Sequence, residues 1–122
     1  RHAAAERRYK VLNDLSLMWE SEQMVESRWR VNLWGEKLKE RLEEANKTND
    51  KDFYILVRVA NFFETLGQYV SAGLIDEEIA TGLFSASAYY YYKLFEPYIQ
   101  TARLQLPNLY HLFEWLSQQK AG

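Results

Sequence analysis

The chain has no cysteine, two prolines and five glycines in 122 residues. Without cysteine there is neither a disulfide framework nor thiolate chemistry, and the lack fits a reducing compartment. So few turn-forming residues do not suit a fold of many short strands. No apolar run approaches the ~18 residues that a membrane-crossing helix needs. Nothing reads as a signal peptide, and the first residue is Arg1, so the sequence reads as an excised fragment. A net charge of −2 provides no global field for nucleic acid or acidic lipid. His2 and His111 stand far apart, each without a second ligand at the i+3 or i+4 spacing of a zinc site. The Glu-x-x-His signature of di-iron bundles is missing too. There is no Gly-x-Ser-x-Gly and no Gly-rich phosphate loop. No catalytic residue, cofactor or metal is therefore expected, and the chain is read as a non-enzyme.

What is present is helical periodicity and an aromatic share of 16%. The most informative stretch is Arg58 to Asp76, inside a helix predicted over about 52–73. Phe53, Leu56, Ala60, Phe63, Leu66 (or Gly67), Val70 and Leu74 form one apolar stripe. Ile55, Val59, Phe62, Leu66 and Tyr69 form a second beside it. Together they cover more than half of the helix surface, as in a helix buried by several neighbours. Gly67 costs about 1 kcal/mol against alanine in a helix interior, a cost tolerated where another backbone or ring comes close. Gly73 falls at a C-terminal cap with Leu74 behind it, and Asp76 begins the next helix with Glu77 and Glu78 in its first turn.

The first 50 residues hold 20 of the 32 charged side chains, ten of each sign. They read as a charged helical arm or hairpin (1–50) ahead of an aromatic-rich helical core (51–122), within one domain. A first helix is expected from about Ala3 to Trp19, with Leu12, Leu15 and Met18 or Trp19 inward. Ser21 can cap a second, from about Glu22 to Ala45, whose stripe is Val25, Trp29, Leu33 (or Asn32), Leu38 and Leu42; an unbroken helix from Ala3 to Ala45 is the alternative. After Asp76 the stripe reads Ile79, Leu83, Ala86, Tyr90 and Leu94. Pro97 predicts a kink or restart near Glu96. Pro107 predicts a last helix to about Gln119, burying Leu109, Leu112, Phe113 and Leu116, after which Lys120 to Gly122 should fray.

Glu64 lies between the two stripes of the central helix. A carboxylate buried there needs a partner, and Arg103, six positions beyond Pro97, is the expected one: a structural ion pair between two helices. The run Tyr89–Tyr92 suggests stacking on bases, but consecutive residues point in four directions around a helix. Lys93 alone makes no basic groove, so these rings read as core and core edge. Arg7, Arg8, Lys10, Arg28 and Arg30 are interleaved with acids and read as a solvated face.

The residues Asn61-Phe62-Phe63-Glu64, then Gly67, then Gly73-Leu74-Ile75-Asp76 resemble the pattern of domain-of-unknown-function family 4760. Trp19, Ser21, Met24, Arg28, Phe84, Pro97 and Arg103 sit at spacings similar to the rest of that pattern, although tyrosines replace its usual tryptophan near position 90. The resemblance implies an all-α fold and, from the family's usual organisation, an anchoring segment upstream of Arg1. It implies no activity and supplies no catalytic residue.

The reading is thus an all-α compact bundle of about five or six helices around a central buried helix. The expected role is a protein-interaction or oligomerisation module with a protein partner or a second copy, no nucleic acid, and no membrane span in this fragment. The expected location is cytoplasmic, as part of a membrane-anchored protein. Tyr9, Trp29 and Trp34 are the candidate interaction surface. The alternative is a small-ligand sensor with a pocket among Phe62, Phe63, Tyr89, Tyr92 and Trp115. An enzyme with a dispersed site is the remaining one, needing Glu64 or His111 beside a second ionisable group.

Overall fold

A computed structural model describes residues 2–119. The helices are α1 (His2–Trp19), α2 (Glu22–Trp34), α3 (Leu38–Lys47), α4 (Asp52–Ser71), α5 (Glu77–Ala102) and α6 (His111–Ser117), of which α1 and α4 lie close to the spans expected from the sequence. The fold is an all-α bundle in which α4 packs against α2, α3, α5 and α6. Eight residues of α4 are buried, Leu56, Val57, Val59, Ala60, Phe62, Phe63, Leu66 and Gly67, which is what its double stripe requires. Among the described residues no helix is long and apolar enough to cross a membrane. Lys120, Ala121 and Gly122, expected to fray, lie outside the described residues.

The turns form where the chemistry allows. Ser21 caps α2 by accepting from the Met24 N–H at 3.2 Å, which separates α1 from α2. Gly73 takes φ +74°; the Leu74 N–H reaches the Tyr69 carbonyl at 2.9 Å and the Gly73 N–H the Val70 carbonyl at 3.0 Å. That is the double hydrogen bond of a glycine-ended helix, and an L side chain would be strained there. Asp76 then accepts from the Ile79 N–H at 3.1 Å and opens α5. Gly67 is where α6 comes closest: a Cβ at this position would sit 2.7 Å from Leu112 Cβ.

Four expectations are corrected. The helix expected over 22–45 is interrupted, because Gly35 adopts φ +51° and a single 3-10 turn (Gly35–Lys37) redirects the chain into α3. In α2 the inward residues are Met24, Ser27 and Val31. Val25, Trp29 and Leu33, the more apolar row, face solvent. Only the α3 part of the expected stripe, Leu38 and Leu42, is buried. In α5 the inward face is Ala80, Phe84, Ser85, Ala88, Tyr91, Tyr92, Phe95 and Ile99. Ile79, Leu83, Ala86 and Tyr90 are exposed and Leu94 is half-buried. Alanine and serine on the inner face leave room for the large rings beside them.

The third correction concerns Pro97, which lies within an uninterrupted α5. It is exposed, as is Lys93 one turn earlier, so water can serve the carbonyl that a proline leaves without its helical donor. The fourth is the last helix. Pro107 belongs to a turn, Tyr110 is left-handed at φ +56°, and α6 begins only at His111. Phe113 and Leu116 are fully buried, with Leu109 and Leu112 half-buried.

Candidate interaction surface

Two regions collect the residues that the sequence singled out. The first is the outer face of α2. Val25, Trp29 and Leu33 recur every fourth residue, so they share one side of the helix. They are 47%, 60% and 64% exposed. Trp34 joins them across a groove also lined by Arg30, Arg41 and Asp52. The Arg41 guanidinium lies 5.7 Å from the centre of the Trp34 ring, within cation–π range. On the other side Asn32 bridges to α5, accepting from the Tyr90 hydroxyl at 2.7 Å and donating to Tyr91 at 3.4 Å. The half-exposed Tyr90 ring thereby extends the apolar face of α2. Tyr9 is also well exposed, but it sits on α1 beside Ile75 and Ile79, a separate place from Trp29 and Trp34.

Three arginines border this face, and only two are well satisfied. Arg41 makes 2.9 Å bonds to Asp50 and Asp52. The Asp52 backbone N–H and then the Arg41 guanidinium hold the Asp50 carboxyl below its usual range. Arg28 donates to the Trp19 carbonyl and lies 4.2 Å over the Trp19 ring. Arg30 is different: it reaches Asp52 and Glu26 only at 3.5 Å each, and its Nε is buried with no partner.

The second region is the junction of α4, α5 and α6. The expected Glu64–Arg103 pair is corrected here. Glu64 Oε1 accepts from two consecutive backbone donors, the N–H groups of Leu112 at 3.1 Å and Phe113 at 2.9 Å. Those are orphan donors of the first turn of α6, so a side chain from α4 does the work of an N-cap. Arg103 pairs instead with Glu114 at 2.9 Å and donates from Nε to the Leu109 carbonyl at 2.9 Å. Glu64 already has backbone donors, and Glu114, one turn into α6, is free to take the guanidinium. No local sequence signal announces an Arg–Glu pair eleven residues apart across a turn.

Tyr110 completes the junction by donating to Asn61 at 2.6 Å, and burial pushes its hydroxyl well above the ordinary tyrosine range. Burial also pushes Tyr92 up to about 12, with the Arg103 charge opposing the rise. His111 is mostly exposed, its Nδ1 3.0 Å from the Asn108 carbonyl and 4.0 Å from Glu64. Among the described residues no three His, Cys, Asp or Glu side chains are grouped to hold a metal.

The five residues proposed to line a ligand pocket are dispersed. Phe62 and Phe63 pack on Trp19 at ring distances of 4.9 and 5.2 Å. Phe63 stacks on Phe113 at 5.1 Å, and Tyr92 meets Phe113 edge-on at 5.1 Å. These rings fill the core against one another. Tyr89 is exposed with Lys93 over its ring, and Trp115 lines a shallow groove of ≈ 340 Å³ with Gly67, Val70 and Glu77.

No curated protein and no solved structure matches this chain. The family model for a domain of unknown function, DUF4760, matches residues 4–119, nearly the whole length and all six helices but for the first residues of α1. With the helical bundle, the glycine-ended α4 and the Asp76 cap all inside that span, the chain belongs to the DUF4760 family.

Proposed function

We propose that this domain is a protein-interaction module whose contact surface is the outer face of α2, centred on Trp29. The observation that carries the reading is the row Val25, Trp29 and Leu33: a helical apolar stripe of core type, standing in solvent. Single exposed apolar residues need no explanation, but a contiguous set joined by Trp34 and Tyr90 does. Tryptophan, tyrosine and arginine are also the residues in which binding energy concentrates. On this reading the chain works by binding and not by chemistry. The ionisable groups at the α4–α6 junction are engaged in holding α6, and the aromatic rings in filling the core.

The test is site-specific photo-crosslinking in the producing cell, with the reactive residue at position 29 and, as a control, at the exposed charged position 43. A discrete protein adduct at 29 that is absent at 43 and lost in Leu33→Glu is the expected result. Indistinguishable adduct patterns at the two positions would remove the proposal.

A further inference from the structure

Resting on that reading, we infer that the occupant of the α2 face is a second copy of this chain, paired with α2 antiparallel to α2 about a two-fold axis. Three observations lead there. The first is the order of charges along the rim. Glu26 and Arg30 flank the apolar row one turn apart on the same side. A two-fold axis midway between them sets Glu26 of each copy against Arg30 of the other, so the same pairing forms twice. An isologous contact needs this self-complementarity. The same axis interleaves the apolar row: Leu33 of the second copy, Val25, Trp29 of the second copy, Trp29, Val25 of the second copy, Leu33, at heights about 3 Å apart along the helices.

The second observation is the state of Arg30. Its two intrachain contacts, from Nη1 and Nη2, sit at the outer limit of hydrogen bonding, and its side chain is 39% exposed. Arg41 and Arg103 each make two 2.9 Å bonds. A guanidinium held in place yet poorly satisfied has capacity left for a carboxylate from outside.

The third is area. Val25, Trp29, Leu33, Trp34 and Tyr90 are each about half exposed. With aromatic side chains burying ~150–250 Å² apiece, they amount to roughly 600 Å² of apolar surface. A standard interface takes about 800 Å² from each partner, rim included, so one copy meets the requirement of another.

Light scattering and sedimentation of the wild-type chain across concentration, up to about 1 mM, should show a monomer–dimer equilibrium. Glu26→Arg and Arg30→Glu each place like charges together twice and should weaken the dimer about tenfold or more. Mixed with each other, the two variants should form a heterodimer tighter than either homodimer, and Glu26→Arg/Arg30→Glu together should recover self-association. Melting of each variant checks that the fold is kept, since Arg30 also approaches Asp52. A wild type that stays monomeric throughout overturns the second-copy inference, while the crosslinking at position 29 judges the docking face separately. A dimer indifferent to both charge reversals and to Leu33→Glu overturns the α2 seam. A heterodimer no tighter than the homodimers overturns the antiparallel pairing.

Discussion

The α4–α6 junction and the outer face of α2 carry the same kinds of residue, aromatic rings, carboxylates and an arginine, yet use them in opposite ways. At the junction Phe113 is fully buried, stacked on Phe63 and met edge-on by Tyr92, Phe95 and Tyr110. Glu64 takes two backbone donors, and Arg103 binds Glu114 and the Leu109 carbonyl, leaving only Nη2 without a partner. Along α2 the rings stand in water and Arg30 has no contact shorter than 3.5 Å. Groups of one chemistry are thus closed on themselves at one end and open at the other. The difference separates what holds α6 in place from what the fold leaves exposed.

Breaking the closed end should cost most. Phe113→Ala removes the ring at the centre of four aromatic contacts and should destabilise the fold by about 3–5 kcal/mol, read as a lower urea midpoint. Glu64→Ala comes next. It leaves two backbone N–H groups of α6 without their carboxylate, at about 2–3 kcal/mol. Glu64→Gln keeps an acceptor oxygen and should cost about 1 kcal/mol. Equal losses for the two substitutions would mean that the carboxylate charge, and not merely an acceptor in the right place, is what α6 depends on.

Much of the closed end could be read from the sequence, because its causes are local. The double stripe on 52–73, the Gly73 stop and the Asp76 cap each sit within a few residues of their effect. Gly67 announced a close approach without naming Leu112. What could not be read is which of two apolar rows a helix turns inward. In α2 the true inner row, Met24, Ser27 and Val31, contains a serine that the Arg58 guanidinium reaches at 3.1 Å. The outer row is the more hydrophobic of the two, so hydropathy selects the wrong one. In α5 the inner face is interspersed with Ala80, Ser85 and Ala88, and the outer row again looks more like core. The Glu64 partner failed for a related reason: pairing side chains by charge overlooks the unpaired N–H groups at a helix start, which exist only once Tyr110 has turned the chain.

A glycine pair sharpens the comparison at about 1 kcal/mol. Gly67 and Gly82 both lie inside helices, and alanine would gain up to about 1 kcal/mol of helix propensity at either. At Gly67 the new methyl meets Leu112 Cβ at 2.7 Å, rooted in the backbone of α6 and unable to swing away. Overpacking of that kind costs about 1–3 kcal/mol, so Gly67→Ala should be net destabilising by about 1 kcal/mol. At Gly82 a Cβ would find nothing within 4 Å, and Gly82→Ala should stabilise by about 0.5–1 kcal/mol. Thermal melts of the two variants should therefore shift in opposite directions, and shifts in the same direction would contradict the placement of α6 against α4.

The smallest effect on folding belongs to Trp29, and its smallness is informative. Tryptophan and serine have similar helix propensities, and Trp29 is 60% exposed, so Trp29→Ser removes little that the folded monomer uses. Its stability, measured by urea unfolding at low protein concentration, should stay within about 0.5 kcal/mol of wild type. Association through α2 should fall sharply in the same variant, because an aromatic anchor at the centre of an interface carries a disproportionate share of the binding energy. That pair of results would mark Trp29 as a ring kept for contact, as the proposed α2 interface requires. If Trp29→Ser instead cost as much stability as Glu64→Ala, the α2 face would be part of the fold, and the contrast between the two ends of the molecule would disappear.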